Sequence, residues 1–201
     1  MMMCHNAADF PQGRAWIELD RSALLHNVRV LRTLLPKGCE LMPAVKANAY
    51  GHGAALVAGE LQRAGIGSFC VASAAEAVEL RKAGITGEIL ILGYTHPRQF
   101  SLLRHFHLTQ TVLDHDYAEL LNRSGRKIDV HIKIDTGMHR LGETAEDLDA
   151  IARYYALPHL QITGLYSHLY EADNLSAEAI AHTRAQIERF FHVVDGLKQR
   201  G

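Results

Sequence analysis

Apolar positions along the chain follow two rhythms that take turns at short intervals: compact apolar runs, and apolar residues spaced three or four apart. The first rhythm predicts strands and the second helices. After "RAWIELD" (14–20), read as a strand, comes "RSALLHNVRVLRTLLP". There Leu24, Leu25, Val28, Leu31, Leu34 and Leu35 recur at helical spacing, with Ser22 as N-cap and Pro36 as the stop. Further strands are predicted near 40–46, 68–73, 88–94, 109–113, 129–135 and 160–168, with helices at 53–64, 74–83, 97–106, 115–124 and 144–156 between them. The "AG" pairs at 64–65 and 83–84 place glycine just past an apolar helical face, a helix-ending signal. A last long helix, 176–199, carries Ile180, Ile187, Phe190, Phe191, Val194 and Leu197.

Strands alternating with helices at this pace make a parallel sheet with helical crossovers. About six βα units follow the first strand and helix, whereas a closed (β/α)8 barrel has eight. An open doubly wound sheet of about six strands fits the same pattern, so periodicity leaves both folds standing. With 201 residues, 48% hydrophobic and 21% charged, the chain can bury a real core as one domain or as part of a larger one. A formal charge of -1 gives no basic excess for nucleic acid or an anionic membrane surface. Cys4, Cys39 and Cys70 are widely spaced with no C-x-x-C pair, which argues for a reducing, cytoplasmic setting and against a disulfide framework or a zinc site. The opening "MMMCHNAADF" lacks the charged and apolar regions of a signal peptide, and no run approaches the roughly 18 apolar residues that cross a bilayer. The thirteen histidines are scattered, and His105 and His107, the closest pair, have no third ligand at metal spacing.

In either fold, functional residues belong at the C-terminal ends of strands. Three such ends carry chemistry. Lys46 ends a strand and opens into "ANAYGHG", where Gly51 and Gly53 permit tight turns. "HIKIDTGMHRLG" (131–142) ends another, turns through Gly137 and presents Arg140, and "GLYSHL" (164–169) ends a third with His168. Side chains alternate across a strand, so Val130, Ile132 and Ile134 form one apolar face while His131, Lys133 and Asp135 share the other. Three ionisable groups on one face point either to a polar site or to an edge strand with one solvated face. A lone strand-end lysine can simply reach solvent. One held in a pocket with an arginine and a histidine nearby suits Schiff-base chemistry, because burial and positive neighbours raise its neutral, nucleophilic fraction. Pyridoxal phosphate is the cofactor that uses such a lysine.

"AVKANAYGHG", "IKIDTGMHRLG" and "GLYSHL", in this order, resemble the signature regions of the alanine racemase family. These are fold-type III pyridoxal-phosphate enzymes with an N-terminal (β/α)8 barrel and a C-terminal β-domain. The resemblance runs from about Arg14 to the chain end. "ELMPAVKANAYGHGA" and "DTGMHRLGE" look particularly similar to the alanine/serine racemase branch. The resemblance implies that Lys46 carries pyridoxal 5'-phosphate and acts as one of two catalytic acid/bases, on the α-proton of the D-enantiomer. It implies that Tyr50 binds the cofactor phosphate, that Arg140 hydrogen-bonds the ring's phenolic oxygen, and that His168 lies beside the ring. Lys133 matches a position that is carbamylated in many members. His139 stands where many members have glycine.

From the same resemblance follow an α/β barrel with about six of its eight units, an N-terminal extension (1–13), a partial barrel (14–201), and no β-domain within the chain. The expected reaction is interconversion of L- and D-alanine, or serine, supplying D-amino acids for peptidoglycan. The expected partners are a small amino-acid substrate and, in full-length members, a second copy that contributes a tyrosine as the second base. The 201 residues are therefore expected to be a truncated piece with little racemase activity alone, exposing apolar edges. The alternative is a non-catalytic pyridoxal-phosphate-binding barrel that serves cofactor homeostasis.

Overall fold

The computed structural model describes residues 16–200, which fall into two compact units, one running to Ile89 and the other beginning at Leu90. Residues 1–15, including the expected N-terminal extension and the start of the expected first strand, lie outside the described residues. Residues 16–20 form no strand.

In the first unit, helix α1 (Arg21–Leu34) is capped by Asp20 rather than Ser22: the Asp20 carboxylate accepts from the Ser22 and Ala23 N–H groups. The helix stops because Pro36 forces Leu35 into extended backbone. Only Val28 of its apolar stripe is fully buried; Leu31 and Leu34 are exposed. The strand expected at 40–46 contracts to a single parallel bridge between Ala44 and Cys70. Its end is taken over by a short turn, α2 (Lys46–Tyr50). Then follow α3 (Ala54–Arg63), β1 (Ser68–Val71) and α4 (Ala74–Lys82). Gly65 and Gly84, at φ of +81° and +82°, end α3 and α4 as expected. In both, the glycine N–H returns to the carbonyl three residues back and the next N–H to the one five back. Ala58, Phe69, Val71, Ala77, Leu80 and Ile89 fill this unit's core.

The second unit is built on parallel strands. β2 (Glu88–Ile91) ends in it, followed by α5 (Phe100–His105), β3 (Thr109–Val112), α6 (His115–Arg123), β4 (Ile128–Asp135) and β5 (Glu143–Thr144). α7 (Leu148–Arg153), β6 (Leu160–Tyr166) and α8 (Ala177–Gln199) complete it. β3 lies between β2 and β4, and β6 pairs with the other edge of β4. This order follows the chain with no reversal, as in a (β/α)8 barrel, whereas a doubly wound sheet reverses at a switch point. The fold is accordingly a parallel α/β arrangement of the barrel type.

Two helical expectations need correction. Residues 143–144 pair as β5 with the end of β4, so the helix expected from 144 starts only at Leu148, capped by the Asp147 side chain. Helix α8 buries Ala179, Gln186 and Val193, while Ile180, Ile187 and Phe191 are largely exposed. Gln186, between Ala179 and Val193 on that packed face, makes the polar contacts described below.

Candidate active site

Lys46 opens a segment with backbone that side-chain-bearing L-residues avoid. Ala47, Asn48 and Ala49 have φ/ψ of 50/47°, 55/45° and 53/47°, and Tyr50 follows at φ 53°. Four consecutive residues thus trace one turn of left-handed helix. Each Cβ crowds the next carbonyl there, at a cost of roughly 1–2 kcal/mol per residue, so the turn persists only if its surroundings over-determine it. They do. Ala49 N–H donates to Val45 O at 2.9 Å, Gly51 N–H to Ala47 O at 3.0 Å and Gly53 N–H to Asn48 O at 2.9 Å. The Asn48 side chain accepts from Ala54 N–H at 2.8 Å, at the start of α3. The Glu76 carboxylate accepts from Ala47 N–H at 3.0 Å through one oxygen and from Ala72 N–H at 2.7 Å through the other. Lys46 is therefore not the last residue of a strand, as expected, but the first of this turn. It is partly buried, and Tyr50 is 62% exposed. On β1, burial pushes the Cys70 thiol up to about 11, Glu88 adds to the rise and Lys46 opposes it.

In the second unit the alternating faces of β4 are realised. Val130, Ile132 and Ile134 are fully buried. Strands flank β4 on both sides, which excludes the solvated-edge reading. On the other face, Lys133 is only 6% exposed, and its Nζ stands 5.0 Å from the centre of the Tyr166 ring. The Tyr166 hydroxyl in turn meets Thr111 Oγ1 at 3.0 Å. Burial drives the Lys133 ammonium down to about 8; Asp135 opposes this and Arg140 reinforces it. Lys133 thus holds its proton less firmly than a solvated lysine and becomes mostly neutral only above about pH 8.

Asp135 does not join Lys133 as an open polar group. Its Oδ1 accepts the N–H groups of Gly137, Met138 and His139 at 2.9, 2.9 and 3.1 Å, folding the loop after β4 onto itself. Burial alone would raise its carboxyl, but these donations outweigh it and hold the group below its usual range. The loop then doubles back so closely that a Cβ on Gly142 would stand 2.7 Å from the Lys133 carbonyl oxygen. Arg140, exposed, sits in this return, and its charge reaches Lys133. The end of β6 is tied to the end of β4: Ser167 Oγ contacts Thr136 Oγ1 at 2.7 Å and donates to Ile134 O at 2.8 Å. Gln186, buried on α8, donates to Thr136 Oγ1 at 3.3 Å and to His168 O at 3.2 Å. His168 itself is exposed, with Nδ1 2.9 Å from Leu169 O.

The structure therefore groups Lys133, Arg140 and His168 at adjoining strand ends of the second unit, and Lys46 with Tyr50 on one turn of the first. Sequence reasoning missed Glu76 and Gln186. Ser73 and Glu76 do carry the S-x-x-E spacing of a capping box, and Ser73 Oγ accepts the Glu76 N–H at 3.4 Å. That spacing pointed to Glu76 as a cap but not to its second bond. Gln186 carries no such signal.

A parallel α/β fold of barrel winding, with Lys133 near the end of β4 and Lys46 on a strained turn after the Ala44 bridge, defines a class, and comparison with known proteins gives the family. The family model "Alanine racemase, N-terminal domain" matches residues 19–201, and the chain belongs to that family. It is 43% identical over 191 residues to an amino-acid racemase of Enterococcus faecalis, covering 95% of this chain and 27% of the relative. It is 42% identical over 190 residues to a serine/alanine racemase of Enterococcus gallinarum, covering 94% and 27%. An alanine racemase of Bacillus anthracis, solved with bound L-Ala-P, superimposes with a TM-score of 0.82 at 30% identity, covering 92% of this chain and 49% of that one. The chain thus spans about a quarter to a half of the length of these relatives. Among the described residues, no helix is long and apolar enough to cross a membrane.

Proposed function

We propose that this chain is the cofactor-binding barrel portion, residues 14–201, of a cytoplasmic amino-acid racemase that interconverts L- and D-alanine or serine and supplies D-amino acids for peptidoglycan. What supports this most is that Lys46 is held on an over-determined, strained turn within a chain of the alanine racemase family. Strain of that kind is retained where side-chain placement matters.

The donor set suits pyridoxal 5'-phosphate, which needs a primary amine for its carbonyl, hydrogen-bond donors for its phosphate and a cation for its phenolic oxygen. Lys46, Tyr50 and Arg140 are of those types. When bound, the cofactor supplies an electron sink that acidifies the amino acid's Cα–H. With the cofactor bound, Lys46 would take or return that proton on one face of the substrate, Tyr50 would hold the phosphate, Arg140 would donate to the phenolic oxygen, and His168 would lie beside the ring. Lys133 as a neutral amine adds carbon dioxide and releases a proton. The resulting carbamate attracts Arg140, where an ammonium would repel it.

The test uses the 201-residue chain incubated with pyridoxal phosphate and reduced with borohydride, followed by peptide mass spectrometry. A stable adduct on Lys46, absent from Lys46→Ala, is expected; an adduct spread evenly over surface lysines would overturn the site. Exchange of the amino-acid α-proton in deuterated water then reads the chemistry, and this chain alone should show binding with little racemisation. Binding with no exchange even in a full-length relative carrying these residues would favour a cofactor-carrier role. An added mass of carbon dioxide on Lys133 is expected in bicarbonate buffer.

A further inference from the structure

We propose that Glu76 is a positioning residue for the Lys46 turn: its carboxylate, clamped between the backbone of that turn and the residue just past β1, sets the direction in which Lys46 leaves the chain. The proposal rests on Lys46 being the cofactor lysine. The Ala47 N–H lies in the rigid peptide plane that joins residues 46 and 47. Holding that N–H at 3.0 Å fixes this plane, and with it the ψ of Lys46 and the φ of Ala47, the first left-handed residue. The other carboxylate oxygen holds Ala72 N–H at 2.7 Å, one residue past the end of β1. A single side chain thereby references the lysine turn to the neighbouring strand.

A capping box would have sent the carboxylate to the N–H of Ser73, the N-cap of α4. Here it bypasses that group and bridges Ala72 and Ala47 instead. The charge matters as well as the shape. Both partners are backbone donors, so an anion accepts from both at once, whereas an amide presents one oxygen and one NH2 group and satisfies only one of them. The left-handed turn is strained, and of the bonds that hold it the Glu76 tie is the one that acts on the peptide joining Lys46 to Ala47.

The experiment compares wild type, Glu76→Gln and Ser73→Ala in the full 201-residue chain. Its readouts are hydrogen–deuterium exchange of the Ala47 to Tyr50 amides, borohydride-trapped pyridoxal phosphate on Lys46, and thermal midpoint. Ser73→Ala removes the cap of the same helix but leaves the carboxylate, so it reports loss of helix stability alone. Expected for Glu76→Gln are exchange at residues 47–50 at least tenfold faster and labelling of Lys46 at least tenfold weaker, while Ser73→Ala lowers the thermal midpoint by a similar amount and leaves Lys46 labelling near wild type. Equal labelling in wild type and Glu76→Gln, or equal losses in both variants, would overturn the proposal. Should Glu76→Gln fail to fold, wild-type exchange decides: an unprotected Ala47 amide removes the tie. Failure of the Lys46 assignment reads differently, as a protected Ala47 amide in wild type with no adduct on Lys46.

Discussion

Lys46 and Lys133 are placed by opposite physical means. Lys133 sits on β4, paired with Tyr166 of β6, and what is unusual about it is its surroundings: a charged group almost wholly buried against the Tyr166 ring. Lys46 sits on irregular backbone beyond a single bridge, and what is unusual there is the conformation that follows it, four consecutive non-glycine residues in left-handed backbone held by hydrogen bonds. The first region spends stability on desolvating a charge and the second on backbone strain. Neither cost serves the fold, which is why both regions draw attention as functional.

The surroundings of Lys133 are most sensitive at Gly142. A Cβ there would meet the Lys133 carbonyl oxygen and carbon at 2.7 and 2.9 Å, both backbone atoms, at a φ of +110°. Gly142→Ala should destabilise the chain by about 4 kcal/mol, combining overpacking with an unfavourable φ; urea unfolding with a loss under about 1 kcal/mol would show that the loop after β4 is loosely seated.

Next comes Lys133→Met. With its ammonium lowered from 10.5 to about 8, Lys133 costs the native state up to about 3 kcal/mol below pH 8, where both folded and unfolded chains carry the proton. Between about pH 8 and 10.5 the unfolded chain binds more protons, so wild-type stability should rise with pH. In carbonate-free buffer, Lys133→Met should be the more stable chain at pH 7 by about 2 kcal/mol, and its advantage should fade towards pH 10. A constant difference across that range would mean that Lys133 is not desolvated.

The smallest effect is the sharpest in sign. Ala47→Gly, in the left-handed turn, should stabilise by about 0.5–1 kcal/mol, because glycine adopts positive φ without Cβ crowding. Ala55→Gly, on the exposed side of the right-handed α3, should cost about 1 kcal/mol. Equal effects of the two substitutions would show that the Lys46 turn carries no strain.

By itself the sequence determined what depends on neighbours along the chain. Helical spacing and glycine placement located the ends of α3 and α4, and alternation separated the apolar and ionisable faces of β4. Lys46, Arg140 and His168, read as strand-end residues, were sufficient to suggest pyridoxal-phosphate chemistry, although Lys46 proves to open a turn. Only the tertiary structure decided what depends on partners far along the chain. Nothing in "AVKANAYGHG" reveals four left-handed residues, since each would avoid that conformation in isolation and is held in it by a set of bonds that includes one from Glu76, 29 residues from Ala47. On α8 likewise the apolar spacing marks Ile180, Ile187 and Phe191, which are exposed, and gives no sign that Gln186 is buried, where it reaches Thr136 and the His168 carbonyl past the ends of β4 and β6. Local preferences are short-ranged and legible from a string of residues. A strained turn or a buried polar tie exists only when distant groups are already in place, so it had to be seen folded.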